Sequence, residues 1–421
     1  MNKLTLLTSS FMLAASFSLF SLPIAAQELT AADRERIEAR KNAKTTLPGE
    51  RIGRVITKAL EFYNDEKLDE AIAVLLDARP SGDFDTAFLN RFLGNIYAFK
   101  DVNQAIKHLD MAVKPDVLGF GDQSAALKLL ADLQIQEGQF RAAIESYRRW
   151  MRFTGENDPD AYLRIANAHY QMGEFDKVVP AADNAIRFSK EPNKNHYMIK
   201  MGALYESRRY PQTVAVVETM VQLFPEEKTY WVYLGNFYTL VEDYSKSLSA
   251  FQIAYSQGFL DKESDFRALG QMYANNNIPY KAASIYEKYM KSGVIKKDRT
   301  MLAAIASNYQ AAREFAKAAE YYGELAKLTN EADAYRRQGM ALMSIQRYPA
   351  AITAFEAALS RDADRPGSIH LSILEAYFYQ GKLKEAYAAL QNAKRDPSTS
   401  RQTRSWESYI KDRAKTKGIS L

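Results

Sequence analysis

The sequence contains no cysteine and only four histidines among its 421 residues. The lack of cysteine excludes disulfides, thiolate metal sites, iron–sulfur clusters, a cysteine nucleophile and a lipidated N-terminal cysteine. With so few histidines, we expect no metal site. The sequence patterns of zinc metalloproteases, P-loop nucleotide sites and serine hydrolases are also missing. The sequence therefore predicts a protein that is not an enzyme and that holds no cofactor.

Long apolar runs are missing after residue 26, and the formal net charge is only +5. The first absence excludes a polytopic membrane protein, and the small charge does not favour a nucleic-acid partner. Hydrophobic residues make up 47% of the chain and charged residues 25%, which is typical of a folded protein. We therefore expect a folded chain that binds no nucleic acid and has no stable membrane insertion.

Residues 1–26 have the pattern of a cleaved signal peptide. Lys3 supplies a positive start, residues 4–21 are apolar or small and uncharged, and Ile24-Ala25-Ala26 offers a small-residue cleavage site. The alternative is an uncleaved membrane anchor, which is less favoured because the stretch is short and ends at that site. We expect cleavage after Ala26, a mature chain that begins at Gln27, and a periplasmic location.

A pattern of about 35 residues recurs ten times in the remainder of the chain. Each copy has apolar residues at helical spacing on both sides of a short polar or glycine-containing turn, which predicts two helices per copy. A small residue on the second helix is followed four positions later by an aromatic residue or leucine in most copies. The corresponding position on the first helix is occupied by Ala59, Gly94, Ala131, Ala166, Gly202, Gly235, Gly270, Ala306, Gly339 and Leu374.

Two isolated features do not indicate chemistry. Gly119-Phe120-Gly121 follows no predicted strand, so we interpret it as a loop between the second and third copies rather than as a phosphate site. His169 has no second histidine or carboxylate at a spacing that would help it bind a metal. A packing role for His169 is therefore favoured over a ligand role.

The copies resemble tetratricopeptide repeats (TPRs). The sixth copy matches that family's pattern most closely, with Trp231, Leu234, Gly235, Tyr238, Tyr244, Phe251 and Ala254, and Pro225 closes the copy before it. The resemblance implies an all-α fold over residues 55–393, an α-solenoid of about ten helix pairs that form a right-handed superhelix. Val178, Ala182 and Thr213 depart from the pattern, so we expect the fourth and fifth copies to pack less regularly.

The two ends lack the repeat. Residues 27–54 are highly charged, and Thr30 with Asp33 predicts the cap of a short helix through about residue 44. We interpret 27–54 as a partly helical or flexible leader that is solvated and mobile. Residues 394–421 carry a net charge of +5, from eight Lys/Arg and three Asp/Glu. Their helical part, with an apolar stripe of Trp406, Tyr409 and Ile410, is expected to cap the last repeat, and a solvated basic face is favoured over contact with lipid or glycan.

The resemblance also implies a binding groove lined by the first helix of each pair. Arg91-Phe92-Leu93-Gly94-Asn95 resembles the segment with which some family members hold a peptide, the asparagine binding its backbone and the basic residue its carboxylate. The alternative is that Arg91 and Asn95 are ordinary helix-surface residues. The groove candidates are Arg91, Asn95, Lys128, Asn167, Tyr170, Asn236, Arg267, Gln271 and Arg336.

These features predict a periplasmic scaffold that binds protein partners. Residues 49–65 and 88–101 resemble the exported TPR proteins encoded with TonB–ExbB–ExbD systems, which implies TonB or ExbD as partners and a role in outer-membrane uptake. The alternatives are a cell-envelope protein that binds glycan or peptidoglycan, and an assembly factor for outer-membrane proteins or cytochromes. The partner, the binding segment of the groove and the oligomeric state stay open at this point.

Overall fold

The computed structural model describes residues 29–44 and 46–421. The predicted signal peptide lies outside these residues, so its cleavage stays a prediction. Within the described ranges the chain forms 22 α-helices, a 3-10 turn at Pro397–Thr399 and no strand. The predicted all-α helical repeat fold is thus confirmed. No helix in this part of the chain is long and apolar enough to cross a bilayer.

The chain divides into two compact units between Val216 and Val217. The first unit begins with the leader helix α1 (Ala31–Lys41). Four helix pairs follow, α2 (Glu50–Asn64) with α3 (Leu68–Leu76), α4 (Gly82–Tyr97) with α5 (Val102–Val113), α6 (Phe120–Gln136) with α7 (Phe140–Thr154), and α8 (Pro159–Gln171) with α9 (Phe175–Phe188). The fifth copy consists of α10 (Lys194–Glu206) and α11 (Tyr210–Leu223), and the division falls inside α11.

The second unit contains five more pairs and a terminal helix. The pairs are α12 (Lys228–Leu240) with α13 (Tyr244–Ser256), α14 (Glu263–Asn275) with α15 (Pro279–Lys291), α16 (Arg299–Ala311) with α17 (Phe315–Thr329), α18 (Ala332–Ser344) with α19 (Tyr348–Leu359), and α20 (Pro366–Tyr379) with α21 (Leu383–Ala393). The terminal helix α22 (Ser400–Thr416) packs on α21. The ten predicted copies therefore correspond to ten successive pairs of helices, α2 to α21.

The turn inside most pairs has one residue in the left-handed backbone region. At Gly173, φ is 70°, and its N–H donates to the Tyr170 carbonyl while the next N–H donates to the His169 carbonyl. These bonds satisfy carbonyls that the end of α8 would otherwise leave open. Six pairs use a residue other than glycine there, namely Glu66, Arg208, Glu242, Asn277, Arg313 and Gln346. The turn thus recurs even where the sequence has no glycine to indicate it.

Two local predictions need correction. The first pair begins at Glu50, five residues before the predicted start of the array at 55. Gly119-Phe120-Gly121 is not a loop, because Gly119 is the N-cap of α6 and Phe120 is its first residue. A glycine at an N-cap costs little, so this sequence can open a helix as readily as it can form a connection.

The leader helix α1 differs from the solvated, mobile segment inferred from its charge. Thr30 and Asp33 form the predicted capping box at its start. Ile37, one helical turn after Asp33, is only 4% exposed. The Ile37 side chain lies against Gly155 at the end of α7, where a Cβ atom added to the glycine would be 2.8 Å from Ile37 Cδ1. Arg40 forms an ion pair with Asp116 at 2.5 Å. Because these contacts join α1 to segments more than 70 residues away, the leader packs on the array.

The predicted cap at the other end packs through part of its stripe. Ile410 and Ala414 of α22 are buried, and the Trp406 ring lies edge-on to Phe378 of α20 with 5.4 Å between centroids. Tyr409 is 55% exposed. The helix thus covers apolar surface of the last pair with Ile410 and Ala414, while Tyr409 leaves an aromatic ring in solvent.

Candidate functional site

The predicted site residues all lie on first helices of their pairs. Arg91 and Asn95 are on α4, Lys128 on α6, Asn167 and Tyr170 on α8, Asn236 on α12, Arg267 and Gln271 on α14, and Arg336 on α18. Those on α4, α6 and α8 belong to the first compact unit and the others to the second. The site is therefore described as two sets, one in each unit.

Arg91 is held inside the protein by its own neighbours. Its side chain is 15% exposed and forms an ion pair with Asp122 at 3.2 Å. The guanidinium lies over the rings of Phe88 and Phe92, 5.1 and 4.6 Å from their centroids. Burial lowers the pKa of Arg91, and the nearby Asp122 opposes that shift. A partner carboxylate would thus compete with Asp122 for this cation, while half-buried Asn95 lies one helical turn further on.

Lys128 is engaged in the same way. Its ammonium donates to Asp158 at 2.7 Å and lies 4.6 Å from the ring centroid of Trp150. Burial raises the pKa of Asp158, but the bonds from Lys128 and from backbone N–H groups outweigh burial and leave it lowered. Arg91 and Lys128 therefore bind different carboxylates of the chain itself, which differs from a carboxylate clamp with free cations.

The charged candidates of the second unit are also paired. Arg267 donates to Glu263 at 2.7 Å and to Asp298 at 3.3 Å. Arg336 binds Asp333, which precedes it by three residues on α18. These ion pairs fix the side chains along the helix surface, and each leaves the cation partly accessible.

The amide candidates are more open. Asn167, Asn236 and Gln271 are exposed, and each directly follows the small residue of its first helix. Gln271 donates to Asn275 at 2.7 Å. With Asn95, they place four amide side chains at the same repeat position, two in each unit.

Tyr170 has a packing role. Its ring contacts Phe175 of α9 edge-on at 5.3 Å, and a Cβ atom added to Gly202 of α10 would lie 3.4 Å from its Cε2. The ring therefore fills space between helices and differs from the exposed amides.

Sequence analysis missed a series of ion pairs that join consecutive first helices. In each, a basic residue on one first helix binds an acid at the N-cap or in the first turn of the next, about 31 residues later. Because the repeat period is about 35, this spacing is the signal that would have revealed the pairs. They are Arg91–Asp122, Lys128–Asp158, Arg267–Asp298 and Arg299–Glu331.

His169 is buried, as the packing interpretation predicts. Its Nδ1 lies 2.8 Å from the Glu174 carboxylate, which belongs to the turn after α8. Burial lowers the pKa of His169, against the raising effect of Glu174. Among the described residues, no group of three or more histidines, aspartates or glutamates is arranged to hold a metal ion.

Comparisons with known proteins identify the repeats. Tetratricopeptide repeat models match residues 126–159, 304–367 and 336–400. These segments therefore carry tetratricopeptide repeats, and they cover α6–α7 and the pairs from α16 to α21. No curated protein matches the sequence.

Solved structures similar to the chain include a tetratricopeptide repeat protein. A tetratricopeptide repeat protein from Parabacteroides merdae is 12% identical, over 62% of this chain and 99% of that one, with a TM-score of 0.35. A crystal structure of MamA is 20% identical, over 42% and 96%, with a TM-score of 0.34. The Naa15/Naa10 structure with bound HypK-THB is 14% identical, over 86% and 66%, with a TM-score of 0.43.

Proposed function

We propose that this protein is an exported, non-enzymatic TPR scaffold that holds a protein partner against the first helices of its pairs. The observation that carries the proposal is the recurrence of an amide side chain directly after the small residue, at Asn95, Asn167, Asn236 and Gln271. An amide side chain can donate to a peptide carbonyl and accept from a peptide N–H. The two amides of each unit can therefore bind a polypeptide backbone with little dependence on its sequence.

The periplasmic location rests on the pattern of residues 1–26. We expect the intact mass of protein from the periplasmic fraction to correspond to a chain that begins at Gln27. A mass that retains residues 1–26 would contradict export with cleavage.

The partner to test first is the periplasmic part of TonB, followed by ExbD. This choice is supported by the resemblance of residues 49–65 and 88–101 to exported TPR proteins encoded with those systems. The net charge of the mature chain is only +4 after loss of Lys3, so it does not require a strongly acidic partner.

Amide substitutions test the binding face directly. We expect Asn95→Ala combined with Asn167→Ala to weaken capture of the partner, because each removes up to two hydrogen bonds to the peptide backbone. Asn103→Ala is the matched control, since Asn103 is exposed on the second helix α5. Equal recovery of partners by the double variant and by wild type would show that this face is not the site.

The role of Arg91 must be tested with two variants, because Asp122 already binds its guanidinium. If Arg91 holds a partner carboxylate, Arg91→Ala should weaken binding about tenfold or more. Asp122→Asn removes the internal competitor and should strengthen binding of the same partner. Unchanged affinity in both variants would assign Arg91 to the structure of α4 and α6 alone.

A further inference from the structure

A cavity of about 670 Å³ lies between α7, α8 and α9 in the first unit, and the start of α1 forms part of its wall. Cavities of this size are typical of sites for small organic ligands. None of the four amide side chains proposed to bind a partner lines it, so it is a separate candidate site.

The start of α1 closes one side of the cavity. Leu29, Asp33 and Arg36 line it. The helix that carries them is anchored by buried Ile37 and by the Arg40–Asp116 ion pair. These residues thus form a wall that the fold holds in place.

One part of the lining is apolar. Met151, Tyr162, Ile165, Pro180 and Ala181 contribute hydrocarbon or ring surface, from three helices. The Tyr162 hydroxyl donates to Asn157 at 2.9 Å, so its polar group is satisfied, and its ring remains as an apolar surface. This part of the cavity suits an alkyl or aryl body.

Another part of the lining is cationic. Four cations, Arg36, Arg148, Arg152 and Lys177, line the cavity, and they outnumber its two carboxylates, Asp33 and Glu156. Arg36, Arg152 and Lys177 form ion pairs with Asp33, Glu145 and Glu174, respectively. Arg148 has no ion pair with any residue that the structure describes. It is therefore the guanidinium that is available to an anion.

His169 adds a polar group beside this cation. The Glu174 carboxylate can only accept at Nδ1, so Nδ1 carries the proton, and the neutral ring then presents Nε2 as an acceptor. Burial, and to a smaller extent the charge of Arg148, favour that neutral form by lowering the pKa of His169. His169 itself lines the cavity and is only 5% exposed. A ligand with an N–H or O–H group near its anionic end could pair with Arg148 and donate a hydrogen bond to His169 Nε2.

We propose that this cavity binds a small organic acid with an apolar body, whose carboxylate pairs with Arg148 and whose adjacent N–H or O–H donates to His169 Nε2. The body lies against Met151, Ile165 and Pro180. The ligand class follows from the unpaired cation, the neighbouring acceptor and the apolar walls. An acylated amino acid has all three complementary groups.

The test uses N-decanoylglycine and isothermal titration calorimetry with the full mature chain. We expect saturable binding at one site. The methyl ester of the probe, which has no charge, should bind at least tenfold more weakly. N-decanoylsarcosine, which has no N–H, should bind several-fold more weakly than N-decanoylglycine. No binding of N-decanoylglycine, or equal binding of its methyl ester, would overturn the proposal.

Variants locate the site. Arg148→Ala should weaken binding of N-decanoylglycine about tenfold or more, whereas Arg54→Ala, which removes an exposed cation on α2, should leave it unchanged. His169→Gln should reduce the preference for N-decanoylglycine over N-decanoylsarcosine. Asn184→Trp places a large ring at the wall and should block binding while it preserves every charge. Unchanged affinity in both Arg148→Ala and Asn184→Trp would overturn the assignment to this cavity.

Discussion

In three pairs of the second unit, an aromatic ring fills the contact between the two helices opposite a glycine. Gly235 faces Phe251, Gly270 faces Tyr286, and Gly339 faces Phe355, and the two phenylalanines are fully buried. A Cβ atom added to Gly235 would lie 2.6 Å from the Phe251 ring. The ring occupies the space that the missing side chain leaves.

The fourth pair of the first unit uses two alanines instead. Ala166 of α8 and Ala182 of α9 occupy the equivalent positions, and both are fully buried. The same pair contributes Tyr162, His169 and Ala181 to the lining of the cavity. The comparison shows that one helix-pair geometry accepts either a glycine with an aromatic ring or two small residues. The first arrangement depends on a single large side chain, and the second spreads contact over several small ones.

Removal of that side chain should have the largest effect. We expect Phe251→Ala to lower the free energy of unfolding by about 3–5 kcal/mol, because it leaves a cavity beside Gly235. Urea unfolding, with hydrogen exchange of α12 and α13, measures the loss. Ile253→Ala is the control on the same helix, where the side chain is 41% exposed. A loss for Phe251→Ala no larger than that of the control would show that the ring is not essential.

Alanine should act in opposite directions at Gly235 of the second unit and at Gly202 of the first. Gly235→Ala brings a Cβ atom against the Phe251 ring and should cost about 1–3 kcal/mol. Gly202→Ala meets its nearest neighbour, Tyr170, at an ordinary 3.4 Å, and should stabilise α10 by up to about 1 kcal/mol through higher helix propensity. Thermal and urea unfolding of both variants measure the difference. If both substitutions change the free energy of unfolding in the same direction, helix propensity rather than the Phe251 ring decides the effect.

The sequence predicts the repeat well because the repeat is a periodic pattern. The ten pairs, the capped leader helix and the burial of His169 follow from spacing and residue type. The contact of α1 with α7 does not follow from spacing, since it depends on one apolar residue, Ile37, in a charged segment. The pairing of Arg91 with Asp122 does not follow either, because it joins two repeats, whereas the pattern relates residues within one.

Acid should destabilise the first unit more than the second. The first unit contains His108, His169 and His196, whereas the second contains only His370, and burial lowers the pKa of all four below the usual 6.5. The unfolded chain therefore binds more protons than the folded one as the pH falls through about 6.5, so stability is lost on acidification from about pH 7 to 5.

Tryptophan fluorescence can separate the two units. Trp150 lies in the first unit, and Trp231 and Trp406 lie in the second, so variants that retain one or the other group report on each unit during urea unfolding. We expect the midpoint reported by Trp150 to fall more between pH 7 and pH 5. His196→Gln should reduce that fall, because neither ring nitrogen of this buried histidine has a hydrogen-bond partner in the described structure. Equal shifts in both units would contradict the histidine explanation.

The ion pairs between consecutive first helices should contribute least. Arg299 and Glu331 form a bidentate pair at 2.9 and 3.1 Å, with side chains 64% and 42% exposed. Exposed pairs contribute roughly 0–1 kcal/mol because solvent and salt screen them, and ordering the two side chains costs entropy. We expect Arg299→Gln to lower stability by less than about 1 kcal/mol.

The Arg91–Asp122 pair of the first unit is less exposed than the Arg299–Glu331 pair and should contribute more. Asp122 is 41% exposed, but its partner Arg91 is only 15% exposed, so Asp122→Asn leaves a largely buried cation without its counter-charge. Its cost should exceed that of Arg299→Gln and should persist in 0.5 M salt (roughly a 4–5 Å Debye length), whereas the Arg299 effect should vanish there. Urea unfolding at low and high salt measures both. If salt changes the stability losses of Asp122→Asn and Arg299→Gln equally, the Arg91–Asp122 pair behaves as an ordinary surface ion pair. Arg91 would then be as accessible to a partner carboxylate as Arg299.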